Sequence, residues 1–175
     1  MNNMLFLQSK DFFVDEGTKG KVLCNNQKGI CLVLFHADPQ QCAHCEETIP
    51  EFKKLPYRMS SVKFGLCNVN KNREAVEMSS QTIAPITYVP YVILYVQGRP
   101  LMRYDGERNV EKILEFLTDV TNRLQTNKTF FENKGSVKIE SEIPAYTIGI
   151  PANLVCDAER GVCYLNYGDA YNKKK

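Results

Sequence analysis

Two unbroken apolar runs stand out along the chain, Ile30-Cys31-Leu32-Val33-Leu34-Phe35 and Tyr91-Val92-Ile93-Leu94-Tyr95-Val96. Each has the length of a strand and no polar alternation, as expected for a strand covered on both faces. Val62 to Val69 reads as a further strand. Between these runs the period changes. From Ala43 to about Tyr57, Ile49, Phe52 and Leu55 recur at threes, while Glu46, Glu47, Glu51, Lys53 and Lys54 fill the other face. That pattern predicts a helix, with Pro50 inside it as a source of a kink. Asn72 to Ser79 predicts a short helix. The clearest helix is Val110 to Leu124, where Val110, Ile113, Leu114, Leu117, Val120 and Leu124 line one stripe and Asn109 stands as a natural N-cap. Gln97-Gly98 reads as a turn into a short strand, Leu101 to Tyr104, and Pro100 suits the start of an edge strand.

The order strand, helix, strand, helix, strand, strand, helix implies an α/β fold, a central mixed β-sheet flanked by helices. Beyond it the pattern dissolves. Thr126 to Ser141 is polar and broken by Gly135-Ser136, and two Ile-Pro steps, Ile143-Pro144 and Ile150-Pro151, favour extended chain. Leu154-Val155-Cys156 and Val162-Cys163-Tyr164-Leu165 then predict a hairpin. The chain is thus expected to divide into a domain at 1–125 and an irregular C-terminal extension at 126–175 that contains a β-hairpin.

Composition narrows the function classes. Of 175 residues, 43% are hydrophobic and 24% charged, with a net charge of +2. This is the composition of a soluble globular protein. It gives no broad electrostatic case for binding nucleic acid or a membrane. The N-terminus lacks a positively charged n-region and a long apolar core, and no stretch approaches the ~20 apolar residues of a membrane helix. The expected location is therefore cytoplasmic, a reducing compartment. There an odd count of seven cysteines argues against a full disulfide framework. Cys31 and Cys67, inside apolar runs, read as small core residues, and Cys24 is left open. Two pairs remain, Cys42 with Cys45 and Cys156 with Cys163.

Cys42-Ala43-His44-Cys45 lies between a buried strand and a helix start. Unpaired N–H groups and the helix dipole at that position favour a thiolate, whose pKa can fall from ~8.5 to ~3.5–7.5. Two intervening residues place the second thiol one turn away. Cys42 is then the nucleophile and Cys45 the resolving thiol, more buried and less acidic, with His44 able to stabilise the Cys42 thiolate. The main rival is zinc, which would need two more ligands from Cys156, Cys163 and His36. The six residues between Cys156 and Cys163 fall outside the usual ligand-pair spacing. An inert structural use of the pair is the other alternative. No metal and no cofactor beyond a redox-active disulfide is expected.

Leu32-Val33-Leu34-Phe35-His36-Ala37, then Cys42-Ala43-His44-Cys45, then Pro50, closely resembles the active-site strand and helix of the thioredoxin superfamily. Val89-Pro90 before the Tyr91 to Val96 strand resembles the family's cis-proline loop, and Gln97-Gly98, Gly106 and the last helix follow the same plan. The resemblance runs over roughly residues 5 to 125. It implies a thioredoxin fold, a cis Pro90, and a substrate groove lined by Val89, with Tyr88 and Tyr91 either rimming it or packed inside. It also implies exchange with protein thiols and disulfides, and a reductase or sulfhydryl oxidase as recycling partner. The Ala-His pair is more similar to disulfide isomerases and periplasmic oxidases than to Gly-Pro reductants. Two features depart from the pattern. Gln41 stands where the reductants carry tryptophan, in a loop, Asp38-Pro39-Gln40-Gln41, about two residues longer. Leu34 falls where a buried acid would assist the resolving thiol, so that His36, Asp38, Glu46 or Glu47 must substitute or substrate reduction is slow.

For the second pair, a four-residue turn at Ala158 to Gly161 would set Cys156 and Cys163 directly opposite each other, with Cα atoms ~4.5–5.5 Å apart, within disulfide reach. A structural disulfide, two unrelated thiols and a second redox pair all remain open. The Cys-Asp…Cys-Tyr-Leu ending is similar to tails of thioredoxin-like proteins of large DNA viruses, which implies oxidation of virion proteins or packaging in a virion. The sequence thus carries two readings: a thiol–disulfide oxidoreductase, or a catalytically weak thioredoxin-fold binding or virion structural module. The edge near Val89 can recruit a second copy, giving a homodimer, as readily as a peptide.

Overall fold

A computed structural model describes residues 4–126, 156–157 and 162–164. In chain order the elements are β1 (Met4–Phe6), a 3-10 turn (Ser9–Asp11), β2 (Phe12–Glu16), β3 (Lys21–Asn25), β4 (Ile30–His36), α1 (Ala43–Arg58), β5 (Lys63–Asn68), α2 (Arg73–Ser80), β6 (Tyr88–Val89), β7 (Tyr91–Val96), β8 (Arg99–Tyr104), α3 (Val110–Thr126), β9 (Cys156–Asp157) and β10 (Val162–Tyr164). Apart from Thr126, the last residue of α3, the expected linker lies outside the described residues, as do both Ile-Pro steps.

The main sheet has five strands in the order β1-β5-β4-β7-β8. β1, β5 and β4 run parallel, and β7 and β8 run antiparallel, so the sheet is mixed. β4 is central, and Cys31 to Phe35 are all fully buried. Its period of two divides the core. Cys31, Val33 and Phe35 pack on one face with Cys67, Tyr91, Tyr95, and Ala75 and Val76 of α2. Leu32 and Leu34 pack on the other with Phe52 and Leu55 of α1 and Ile113, Leu117, Val120 and Leu124 of α3. Helices therefore cover both faces, which is why these strands read as unbroken apolar runs. α1 continues through Pro50 and Pro56. Asn109 caps α3 as expected, its Oδ1 accepting from the Lys112 N–H at 2.9 Å.

Four strands, β1, β2, β3 and β6, were not legible in the apolar pattern. β1 and β6 are short, and β2 pairs with β3 in a separate two-stranded sheet with Asp15, Glu16 and Lys21 at its turn end. The remaining small sheet, in the order β6-β10-β9, joins the C-terminal hairpin to the strand just before Pro90.

The turn between β7 and β8 depends on its residues. Gln97 and Gly98 both have positive φ, 52° and 79°, as a tight two-residue hairpin loop demands. The Gly98 carbonyl accepts from the Asn25 N–H at 2.8 Å. A Cβ on Gly98 would lie 2.3 Å from the Asn25 carbonyl oxygen. Gly98→Ala is expected to cost about 2 kcal/mol or more from left-handed strain and this backbone clash. Thermal unfolding should show it as a fall in Tm of roughly 5–10 °C; an unchanged Tm would contradict this account of the turn.

Candidate functional site

β4 ends at His36, and the loop from Ala37 to Gln41 carries the chain to the start of α1. The loop is longer than the resemblance leads one to expect, yet it is fixed at both ends. The Gln41 and Cys42 N–H groups donate to the Asp38 carbonyl at 2.9 and 3.2 Å. The Asp38 N–H donates to Asn70 Oδ1 at 2.8 Å, and Asn68 Nδ2 donates to Asp38 Oδ1 at 2.7 Å. Gln41, in the place of tryptophan, accepts from Asn70 Nδ2 at 3.0 Å. Short polar side chains from the end of β5 thus hold the loop.

The clamp leaves Cys42 as the N-cap of α1 with extended backbone, φ −140° and ψ 99°. Its Sγ accepts from the Cys45 N–H at 3.1 Å, the place where a capping serine or aspartate would use oxygen. The Cys42 thiol is held below its ordinary value. The Cys45 thiol, which donates to its sulfur, is the largest cause; burial opposes; the backbone N–H groups of Cys45 and His44 and the nearby Arg108 guanidinium assist. Cys45 is pushed the other way, first because it donates to Cys42, then by burial and by the negative charge on Cys42. Of the two thiols, Cys42 therefore loses its proton first, and Cys45 holds its own more tightly. Both residues are fully buried, so solvent exposure does not separate them, and the expected lower acidity of Cys45 is what distinguishes the pair. His44 contributes its backbone N–H to Cys42.

Arg108 is the residue that sequence reasoning missed. It lies in the loop between β8 and α3, half-buried, and burial lowers its own pKa while Tyr88, Asp105, Cys45 and Cys42 oppose that shift. Nothing in the sequence marks it, because only the tertiary fold brings that loop to the start of α1.

The groove residues sit closer to the interior than a rim requires. The Val89–Pro90 bond is cis. Val89 is fully buried, in the same cluster as Cys42 and Cys45. Tyr88 and Tyr91 are buried too and pack edge to face with centroids 5.2 Å apart. The Tyr88 hydroxyl accepts from Arg103 Nη1. Of the alternatives for these rings, the structure presents packing.

Leu34 is fully buried beneath α1 and α3, away from the cysteine cluster. Glu46 and Glu47 are exposed. Asp38 is engaged in the loop clamp. Burial holds His36 below the usual histidine range, and its Nδ1 lies 3.0 Å from the Ala37 carbonyl, which it faces as donor. Cys31 and Cys67 are fully buried core residues whose thiols burial pushes up to about 12. Cys24 is buried as well. Among the described residues no cluster of three or more His, Cys, Asp or Glu could hold a metal ion; of the three candidates for the two further zinc ligands, the side chains of Cys156 and Cys163 lie outside the described ones and His36 within them. No described helix is long and apolar enough to cross a membrane.

A mixed sheet with helices on both faces and a dicysteine at the head of the helix after the central strand defines a protein of thioredoxin fold. A family model described as Thioredoxin matches residues 16–119, more than half of the chain, and the chain belongs to that family. Two curated proteins resemble it along nearly their whole length. Uncharacterized protein 196R of Invertebrate iridescent virus 6 is 29% identical, covering 98% of this chain and 95% of that one. Uncharacterized protein 020R of Invertebrate iridescent virus 3 is 28% identical, covering 96% of each. Among solved structures, the zinc-bound form of human ERp44 shares the fold with a TM-score of 0.51 at 16% identity, over 66% of this chain; the chain spans 30% of that protein.

The charge distribution has a measurable consequence. The rate of Cys42 alkylation, followed by mass spectrometry across pH, should rise with a midpoint below the ordinary thiol value of 9.0, while Cys45 should titrate above it. Arg108→Gln removes a positive charge that favours the thiolate, so the Cys42 midpoint should move up and its reactivity at pH 7 should fall. A midpoint at or above 9.0 in the parent protein would contradict the assignment of the thiolate to Cys42.

Proposed function

We propose that this chain is a thiol–disulfide oxidoreductase that exchanges disulfides with protein substrates through Cys42 and Cys45. The observation that carries the reading is Cys42 Sγ capping α1 and accepting the Cys45 N–H, with the Cys42 thiol held below its ordinary value. The Cys42 thiolate attacks a substrate disulfide, forming a mixed disulfide and expelling one substrate thiolate. Cys45 then loses its proton and attacks Cys42 Sγ, closing the Cys42–Cys45 disulfide and releasing the second substrate thiol. Run backwards, the same steps oxidise a substrate dithiol.

The missing acid at Leu34 has a physical substitute in this scheme. Two of the three causes that hold the proton on Cys45 are the hydrogen bond to Cys42 and the Cys42 charge. Both vanish when Cys42 enters a mixed disulfide. The Ala37 N–H and Arg108, which favour a Cys45 thiolate, remain. The first chemical step thus releases the nucleophile for the second. Stabilising the Cys42 thiolate also stabilises the reduced dithiol, which makes the disulfide more oxidising. A reductase or sulfhydryl oxidase would recycle the pair, and similarity to proteins of two iridescent viruses makes virion proteins a candidate substrate class. A second reading, a thioredoxin-fold binding module without turnover, rests on the complete burial of Cys42.

A disulfide-bonded model protein distinguishes the two. Cys45→Ser should accumulate a mixed disulfide through Cys42, resolved by added dithiol, and Cys42→Ser should lower turnover by about three orders of magnitude or more. A Cys45→Ser protein that never forms an adduct, and a parent that never turns over, would favour the binding module.

A further inference from the structure

The hairpin of the C-terminal extension lies against the dithiol site. β10 pairs antiparallel with β6, setting Cys163 opposite Val89 and Tyr164 opposite Tyr88. On its other edge β10 pairs antiparallel with β9, setting Cys163 opposite Cys156. Cys156, Cys163 and Val89 therefore occupy one cross-strand row of a three-stranded sheet. Val89, at the end of that row, is buried in the same cluster as Cys42 and Cys45. Neighbouring strands are ~4.8 Å apart, so Cys163 occupies a position one strand from the wall of the dithiol site. Directly opposite positions on an antiparallel hairpin have Cα atoms ~4.5–5.5 Å apart, inside the ~4.4–6.8 Å that a disulfide spans.

The backbone edge of Tyr88–Val89 is thus taken by a strand of the same chain, and that strand carries a cysteine at the register of Val89. An extended chain adding to a sheet edge gains main-chain hydrogen bonds, and its register decides which residue meets the site. Here the added strand is tethered, so its cysteine is presented at an effective concentration of order millimolar.

We propose that Cys163 and Cys156 form a second redox-active dithiol that exchanges with Cys42–Cys45 within one chain. The proposal deepens the oxidoreductase reading and rests on it. Starting from a Cys156–Cys163 disulfide, the Cys42 thiolate attacks Cys163 Sγ. The Cys42–Cys163 bond forms, the Cys156–Cys163 bond breaks, and the Cys156 thiolate takes up a proton from solvent. Cys45 gives its proton to solvent and attacks Cys42 Sγ. The Cys42–Cys45 bond forms, and Cys163 leaves as a thiolate and is protonated. Two electrons pass from the Cys42–Cys45 dithiol to the hairpin disulfide, no outside oxidant or reductant is consumed, and the reverse steps carry them back. The hairpin then serves as a relay between the groove and a partner that meets the tail.

The test uses the full-length Cys45→Ser, Cys156→Ser protein, in which neither resolving thiol remains. It is equilibrated with reduced and oxidised glutathione at about 0.1 mM, below the effective concentration of a tethered thiol. After alkylation, disulfide-linked peptides of the monomer are mapped by mass spectrometry. A Cys42–Cys163 cross-link is expected to exceed the Cys42–glutathione adduct by about tenfold, and adding Cys163→Ser should convert it into the adduct. Protection of Cys31 and Cys67 from alkylation reports that the variant is folded, and the Cys45→Ala, Cys156→Ala protein, which also lacks both resolving thiols, replaces it should the serine variant unfold. Abundant Cys42–glutathione adduct with no Cys163 link would overturn the relay and leave disulfide exchange standing. A Cys42 that takes neither partner in folded protein would overturn both.

Discussion

The chemistry of this protein turns on one hydrogen-bonded arrangement: the Cys42 sulfur at the head of α1, accepting the Cys45 N–H at 3.1 Å while the Cys45 thiol donates to the same atom. A helix leaves its first N–H groups without intrahelical partners. The preferred caps satisfy them with a serine, threonine, aspartate or asparagine oxygen; this helix uses the Cys42 sulfur. In the proposed cycle, capping and nucleophile activation are therefore one interaction, because what lowers the Cys42 pKa also caps the helix.

The rest of the fold serves to hold that sulfur in place. β4 is buried on both faces and cannot shift in register without exchanging its two apolar sets. Its end is tied to the end of β5 by the Asp38, Asn68 and Asn70 hydrogen bonds, and the loop from Asp38 to Cys42 closes on its own carbonyl. Where thioredoxin reductants place a tryptophan and a buried acid, this chain places a hydrogen-bonded Gln41 and a core Leu34. The acid's absence is tolerable in the proposed cycle because the proton on Cys45 is held largely by Cys42 itself, and forming the mixed disulfide removes that hold.

How much of this was legible in the sequence follows from how local each signal is. β4, β7, α1 and α3 carry long apolar runs or stripes, and these elements occur within a residue or two of where the pattern places them. The cysteine pair and its helix start were readable because they adjoin in sequence. The β2–β3 pair escaped notice because each strand has only three apolar residues in a row, Phe12–Val14 and Val22–Cys24, bounded by charged or polar ones, and lies outside the main sheet. Arg108 was invisible for a different reason: its influence on Cys42 and Cys45 is electrostatic and arises only when the loop before α3 meets the start of α1. The opposition of Cys156 and Cys163 could be read from turn length, whereas the pairing of Cys163 with Val89 joins segments distant in sequence and no local pattern encodes it.

The most direct measurement of the central claim is the equilibrium reduction potential of the Cys42–Cys45 pair, by titration in glutathione buffers with thiol trapping and mass spectrometry. A stabilised Cys42 thiolate favours the dithiol, and for a two-electron couple each tenfold in equilibrium constant is ~30 mV. The account expects a reversible two-electron transition well above the ~−270 mV of thioredoxin. A potential at or below that value, or no reversible transition, would contradict it.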